Sequence, residues 1–225
     1  MSDTNAASKL RTVHIGDVTI GGALGEYPTA VMLSLFHQGD RAVTDQKTGQ
    51  FDKDRVRRYI DRALKLSATT GNPVVLDVLA QTPAAMQQYL TFLAEAAPSV
   101  PFLIDSTSKD AGLAGIQHVA EHGRANLAIY DSIGVKTTPQ ELEALRNARI
   151  DAAILLAHNP ASLQARGRLD VLRGTRHQEG LLAKAAKAGI TKPLVDTVAL
   201  DLAGLSIAGA AMRLVKRDLG LPVGA

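Results

Sequence analysis

The sequence predicts an α/β protein: a (β/α)8 barrel lacking its last βα segment, with a β-hairpin ahead of it. Three observations predict this. Short apolar runs of strand length recur along the chain with helical periods between them. Polar residues fall at the C-terminal ends of those runs, and no G-x-G-x-x-G or G-x-x-x-x-G-K-[ST] follows any of them. The 225 residues are 46% hydrophobic and 21% charged, the balance of an ordinary globular chain, which excludes disordered and fibrous classes. Cysteine is absent, which excludes disulfide frameworks, thiol nucleophiles and Cys-ligated metal sites.

Taken in order, MSDTNAASKL has no apolar core, so no signal peptide is expected. Residues 1–12 read as a flexible N-terminus and 13–225 as a single domain. Residues 13–22 alternate apolar and polar around Gly16-Asp17, a hairpin signal. Seven barrel strands are expected at 31–36, 74–79, 102–107, 127–132, 152–157, 193–198 and 220–225. Their near-continuous apolar character fits strands covered on both faces.

The intervening stretches carry helical stripes. Val56, Ile60, Ala63, Leu64 and Ser67 share one face behind Asp52 as a cap. Met86, Tyr89, Leu90 and Leu93 form a second stripe behind Thr82-Pro83. Thr138-Pro139 with Glu141 repeats the start signal before Leu142 and Leu145. A helix over 200–219 ends in Lys216, Arg217 and then Gly220. The apolar stretch 198–215 contains Asp201 and Arg213 and reads as a buried helix, not a membrane span. A formal charge of +3, without a basic stripe interleaved with aromatics, gives no nucleic-acid signature. These features predict a cytoplasmic protein.

Asp77, Asp105, Asp131 and Asp196 lie near strand ends, and Asn159 follows another. A doubly wound sheet concentrates its ligand groups at one switch point, whereas a barrel gathers them from many strand ends around one mouth, so the barrel is favoured. A single Asp at a strand end caps the following helix or bonds loop amides; four in equivalent places exceed that need. Buried carboxylates require hydrogen bonds, and a ring of them suits a ligand rich in N–H donors, such as an amidine, a guanidine or an aminopyrimidinone.

Metal and nucleophile chemistry have weaker support. His118 and His122 are four apart on an expected helix, without other zinc-site features, and read as surface histidines on a solvated face. No metal ligand set is expected. No G-x-S-x-G occurs, and Ser106 and Ser132 read as hydroxyls that tie down the loops after Asp105 and Asp131. Arg166, Arg168, Arg173 and Arg176 form a basic cluster in an expected long loop, either solvated or a docking point for an anionic tail or partner.

The segments GGALGEYPTAVMLSLF, VTDQKTGQFDK, TGNPVVLDVLAQTPAAM, FLIDSTS, AIYDSI, LLAHNP, KPLVDT and GLPVG together resemble the H-subunit family of tetrahydromethanopterin S-methyltransferase. Bacterial methylcobamide:tetrahydrofolate methyltransferases look similar across the same segments. The wider relatives are the pterin-binding TIM barrels, dihydropteroate synthase among them. The resemblance implies a methyltransferase that moves a methyl group between N5 of a tetrahydropterin (tetrahydrofolate or tetrahydromethanopterin) and the cobalt of a corrinoid. It implies substrate binding by Asp105, Asp131, Asn159 and Asp196, with Asp131 and Asn159 also catalytic, and Asp77 joins the expected binding set from its place at a strand end. Asp105 would contact the pterin ring and Asp196 its pyrimidine edge. The fourth-strand position in that family is usually Asn, where this chain has Asp131. A further family Asn lies beyond the seventh-strand motif. No cobalamin-binding D-x-H-x-x-G occurs here, so a corrinoid protein would be a partner. The chain would act as a homodimer or as part of a complex. The alternative is a catalytically impaired pterin-binding or interaction subunit. A dihydropteroate-synthase-like condensation is weaker, for want of a basic pyrophosphate site among the strand ends.

Overall fold

A computed structural model describes residues 10–225. Of the segment expected to be flexible, residues 1–9 lie outside the described residues. Arg11 donates its backbone N–H to the Gly220 carbonyl at 2.8 Å, and Thr12 opens the first strand. β1 (Thr12–Ile15) and β2 (Val18–Gly21) form the antiparallel hairpin expected around Gly16-Asp17. β3 (Val31–Leu35) follows, then the short antiparallel pair β4 (Val43–Asp45) and β5 (Gln50–Phe51), then α1 (Lys53–Thr70). From there strand and helix alternate through β6 (Val74–Leu79), α2 (Pro83–Ala96), β7 (Phe102–Asp105), α3 (Lys109–Glu121), β8 (Ala128–Ile133), α4 (Pro139–Ala148), β9 (Ala152–Leu156) and α5 (Ala165–Arg173). A minimal hairpin, β10 (Gly174–Thr175) with β11 (Gln178–Glu179), precedes α6 (Leu181–Lys187), β12 (Lys192–Asp196), α7 (Gly204–Leu219) and β13 (Val223–Gly224).

Local chemistry sets the helix ends. Asp52 accepts the Arg55 N–H at 2.9 Å, and Thr82 accepts that of Ala85 at 3.1 Å ahead of Pro83. Thr138 and Glu141 satisfy each other's backbone N–H groups in a capping box. α7 stops at Gly220, whose left-handed φ of 67° only glycine adopts without strain. Two expectations are corrected. The arginine cluster does not lie in a long loop, because Arg166, Arg168 and Arg173 are on α5, and Arg168 is buried. The last helix begins at Gly204, where Asp201 accepts the Gly204 N–H at 2.6 Å and ends the preceding loop.

Seven strands form one parallel sheet in the order β13-β12-β9-β8-β7-β6-β3. Because side chains alternate along a strand, each has an outward and an inward set. Leu76, Val78, Ile104, Tyr130, Ala153, Leu155 and Val195 join the helices' apolar faces in the larger core. Val75, Leu103, Ile129, Ala152, Ile154 and Leu194 join Val13, Ile15 and Val18 of the hairpin in a second core. The hairpin thus touches strands from β6 to β12, which requires the sheet to curl around it, and it plugs the barrel at the end opposite the mouth. Edge strand β3 leaves Val31 and Met32 each 48% exposed.

The histidine expectation is also corrected. His118 is buried, with its ring stacked on His122 at 4.0 Å. It falls on the same face as Ala111, Ala114 and Gly115, the side of α3 turned inward. Burial pushes His118 towards its neutral form, with His122 adding to the effect.

Candidate functional site

Two residues beyond each inward apolar position comes the next inward position, and on four strands it is an acid: Val75 leads to Asp77, Leu103 to Asp105, Ile129 to Asp131 and Leu194 to Asp196. On β9 the equivalent step from Ile154 leads to Leu156. Asp105 and Asp131 are register partners across β7 and β8, and Leu156 and Asp196 across β9 and β12. Ser34 on β3 is the register partner of Asp77 and donates its hydroxyl to Asp77 Oδ2 at 2.6 Å. The mouth is therefore ringed by carboxylates, with one apolar gap at Leu156.

The four acids share one electrostatic environment. Asp131 is raised to about 8, by burial first and then by Asp105, Asp77 and Asp196 in that order. Asp105 is raised to about 7 by burial and then by Asp77. Burial also raises Asp77, opposed by the Ser34 hydroxyl and by His37. It raises Asp196, opposed by the Val198 N–H and by Arg168. None of the ion pairs among the described residues involves these four acids. Like charges gathered in a low-dielectric mouth without paired cations hold protons instead.

Asp77 is 8% exposed, and its Oδ1 has no hydrogen-bond partner. Leaving a buried acceptor unpaired costs on the order of 1–3 kcal/mol, more if it is charged. That oxygen is a buried acceptor left without a partner on the inward side of β6.

Asn159 follows β9 at the same end of the barrel, but its amide is partly committed to its own loop. Oδ1 accepts the Ala161 N–H and Nδ2 donates to the Gly167 carbonyl, both at 2.9 Å. One amide hydrogen and one lone pair remain by valence. Of the two hydroxyls expected to tether loops, Ser106 does so, whereas Ser132 lies within β8. Ser106 Oγ accepts the Ser108 N–H at 3.0 Å, and the Ser132 hydroxyl bonds Asp131 and opposes its rise. On the outward side of β8, Tyr130 donates its hydroxyl to Glu141 Oε1 at 2.9 Å, tying the strand to the start of α4. Among the described residues no group of three or more His, Asp or Glu is placed to hold a metal ion.

Sequence reasoning misses three contributors. Ser34 sits inside an apolar run, and its only signal is that it falls on the inward parity of β3. His37 lies just past that strand, close enough to act on Asp77. Arg168 reads as a loop residue from its basic neighbours; the apolar spacing of Leu169 and Leu172 beside it is the available signal for a helix.

The fold is that of a known barrel class. The chain superimposes on a dihydropteroate synthase from Xanthomonas albilineans with a TM-score of 0.52 over 96% of this chain and 76% of that one, at 14% identity. In architecture it therefore shares the α/β barrel fold of that enzyme. A family profile described as "Tetrahydromethanopterin S-methyltransferase MtrH subunit" matches residues 8–225. The H subunit of the Methanosarcina acetivorans tetrahydromethanopterin S-methyltransferase is 35% identical over 96% of this chain and 69% of its own length. Those of Methanothermobacter marburgensis and Methanocaldococcus jannaschii are each 37% identical, over 93% and 94% of this chain and 68% and 67% of theirs. The chain belongs to this family of methyltransferase subunits.

Proposed function

We propose that the chain transfers a methyl group between N5 of a tetrahydropterin and the cobalt of a corrinoid carried by a partner protein. The observation that carries this reading is the ring of four inward acids, free of ion pairs among the described residues, at the mouth of a barrel of this methyltransferase family. A pterin's aminopyrimidinone edge offers adjacent N–H donors, which carboxylates accept in parallel. Asp77, Asp105 and Asp196 serve as those acceptors, and the unpartnered Oδ1 of Asp77 is one ready position.

The reaction has one chemical obstacle. Methyl transfer from N5 expels an amine nitrogen, a very poor leaving group unless it is protonated or strongly hydrogen-bonded as the C–N bond breaks. General acid assistance of this kind is worth roughly 10²–10⁴ in rate. Asp131, raised to about 8, still carries a proton at neutral pH. In our reading it hydrogen-bonds N5 and supplies that proton, and it takes the proton back when the direction reverses. Asn159 shapes the adjacent loop and presents its remaining amide hydrogen to the same region. The corrinoid, when brought by its partner, supplies the cobalt nucleophile. The relatives are named as one subunit of a methyltransferase, and we take this chain to act likewise, as a homodimer or as part of a complex in the cytoplasm. No helix among the described residues is long and apolar enough to cross a membrane.

The test mixes the protein with methyltetrahydrofolate or methyltetrahydromethanopterin and free cob(I)alamin. Appearance of the methylcobalamin spectrum supports the reading. Pterin binding with no spectral change replaces it with that of a pterin-binding subunit without turnover. Absence of binding to either pterin overturns both.

A further inference from the structure

The turn after β12 is held from three sides. Asp196 Oδ1 accepts the Val198 N–H at 2.7 Å. Thr197 donates its hydroxyl to the Gly224 carbonyl at 2.9 Å. The Arg168 guanidinium donates to the Thr197 carbonyl. Val198 has φ 59°, a conformation a β-branched residue adopts only when its surroundings impose it.

Arg168 reaches this turn because of its neighbour. A Cβ on Gly167 would lie 2.6 Å from Ser162 Cβ and 2.8 Å from the Ser162 carbonyl oxygen. Glycine therefore lets the β9 loop lie flat on α5 and turns the next residue inward. Asn159 pins the same spot through the Gly167 carbonyl. The β9 loop, the first turns of α5 and the Asp196 turn form one connected unit.

Burying a guanidinium costs several kcal/mol after relaxation. Arg168 is 7% exposed, and its hydrogen bond to Thr197 goes to a neutral carbonyl, which a neutral donor would satisfy equally well. What the charge adds is its field on Asp196, which it draws towards the ionised form against burial. From β8 the neighbouring acid is Asp131, which the Asp196 charge helps to raise. Among the described residues no Lys or Arg acts in this way on Asp77, Asp105 or Asp131.

We infer that Arg168 is a positioning residue of the methyl-transfer site: through the Thr197 carbonyl it clamps the Asp196 turn and sets its positive charge next to Asp196, beside three acids that no described Lys or Arg balances. This assignment rests on the pterin reading for its purpose, and not for its electrostatics. Asp196 would meet the N–H edge of the substrate as an anion, while the proton-bearing acids stay on the β7 and β8 side of the mouth.

Two variants separate charge from scaffolding. Arg168→Gln keeps an N–H donor for the Thr197 carbonyl and removes the charge; Arg168→Lys keeps the charge. In protein labelled with ¹³C at aspartate carboxyls, with Asp196 assigned through Asp196→Asn, the Asp196 midpoint is expected to rise by about one pH unit in Arg168→Gln and to return most of the way in Arg168→Lys. An unmoved midpoint in folded Arg168→Gln overturns the assignment, whether or not any pterin binds. Calorimetry with tetrahydrofolate gives the functional arm. Arg168→Gln should weaken binding about tenfold, and by less than about twofold in an Asp196→Asn background, because the two act as one unit. Equal losses in both backgrounds would make Arg168 a scaffold residue only. Failure of the wild-type protein to bind either pterin overturns the proposed function and leaves the titration to decide on Arg168.

Discussion

Asp105 and Asp131 stand side by side as register partners on β7 and β8, with both side chains turned into the barrel mouth and no ion pair to either among the described residues. Parallel neighbours lie about 4.8 Å apart, so the two carboxyls cannot both ionise cheaply. Burial does the larger part and acidic neighbours add to it, together raising them to about 7 and about 8. The arrangement places exchangeable protons at neutral pH where the proposed chemistry consumes one.

Stability should report those protons. A carboxyl whose folded value exceeds its unfolded value binds its proton more tightly in the folded state. Its contribution is complete below about pH 4 and is lost as pH rises through the folded value. With Asp105 near 7 and Asp131 near 8, the ligand-free protein should lose stability between about pH 4 and pH 8. Asp131→Asn should remove part of that loss and raise the melting temperature at pH 8 by about 2–4 °C, with little change at pH 5. Calorimetric melts across this range check the prediction; a pH-independent difference would contradict it.

Activity gives the second reading of Asp131. Asp131→Ala should lower methyl transfer roughly 10²-fold or more, the ordinary worth of a general acid. Asp131→Asn donates a hydrogen bond but cannot give up a proton, so it should lose nearly as much. In the wild type the rate should fall as pH rises through about 8, and in Asp131→Asn that limb should vanish. Rates followed by the methylcobalamin spectrum decide it, and an Asp131→Asn rate close to that of the wild type would remove Asp131 from the acid role.

Asp77 tests the unpartnered acceptor. Its Oδ1 is buried without a partner while Ser34 holds Oδ2. Asp77→Asn removes the burial cost of a carboxylate, so the ligand-free protein should melt no lower than wild type. Tetrahydropterin binding should weaken by about 10–100-fold, the worth of a hydrogen bond to a charged group. Parallel melting and titration experiments would show the opposed effects; an unchanged affinity would place the substrate elsewhere.

Glu141 carries structural weight away from the chemistry. It accepts the Tyr130 hydroxyl and closes the capping box of α4. Glu141→Ala should cost about 2–3 kcal/mol, combining a lost cap with an unpaired buried hydroxyl. Urea denaturation measures it. Pterin affinity should fall far less than in Asp77→Asn, since Tyr130 and Asp131 point to opposite faces of β8.

Much of this molecule is written locally. Apolar runs bounded by turn residues locate the barrel strands, and Asp52, Thr82 and Thr138 announce helix starts, because capping and side-chain alternation involve residues only a few positions apart. The same alternation puts Asp77, Asp105, Asp131 and Asp196 at equivalent strand ends from the sequence alone. Tertiary packing decides the rest. That Ser34 meets Asp77 across 43 positions of sequence, that Arg168 is buried against Thr197 across 29, and that Asn159 commits part of its amide to Gly167 all depend on strand register and on how α5 lies on the sheet. Protonation is likewise a tertiary property. A carboxyl's charge is set by the water it has lost and the neighbours it has gained, and neither is visible until distant strands are brought together.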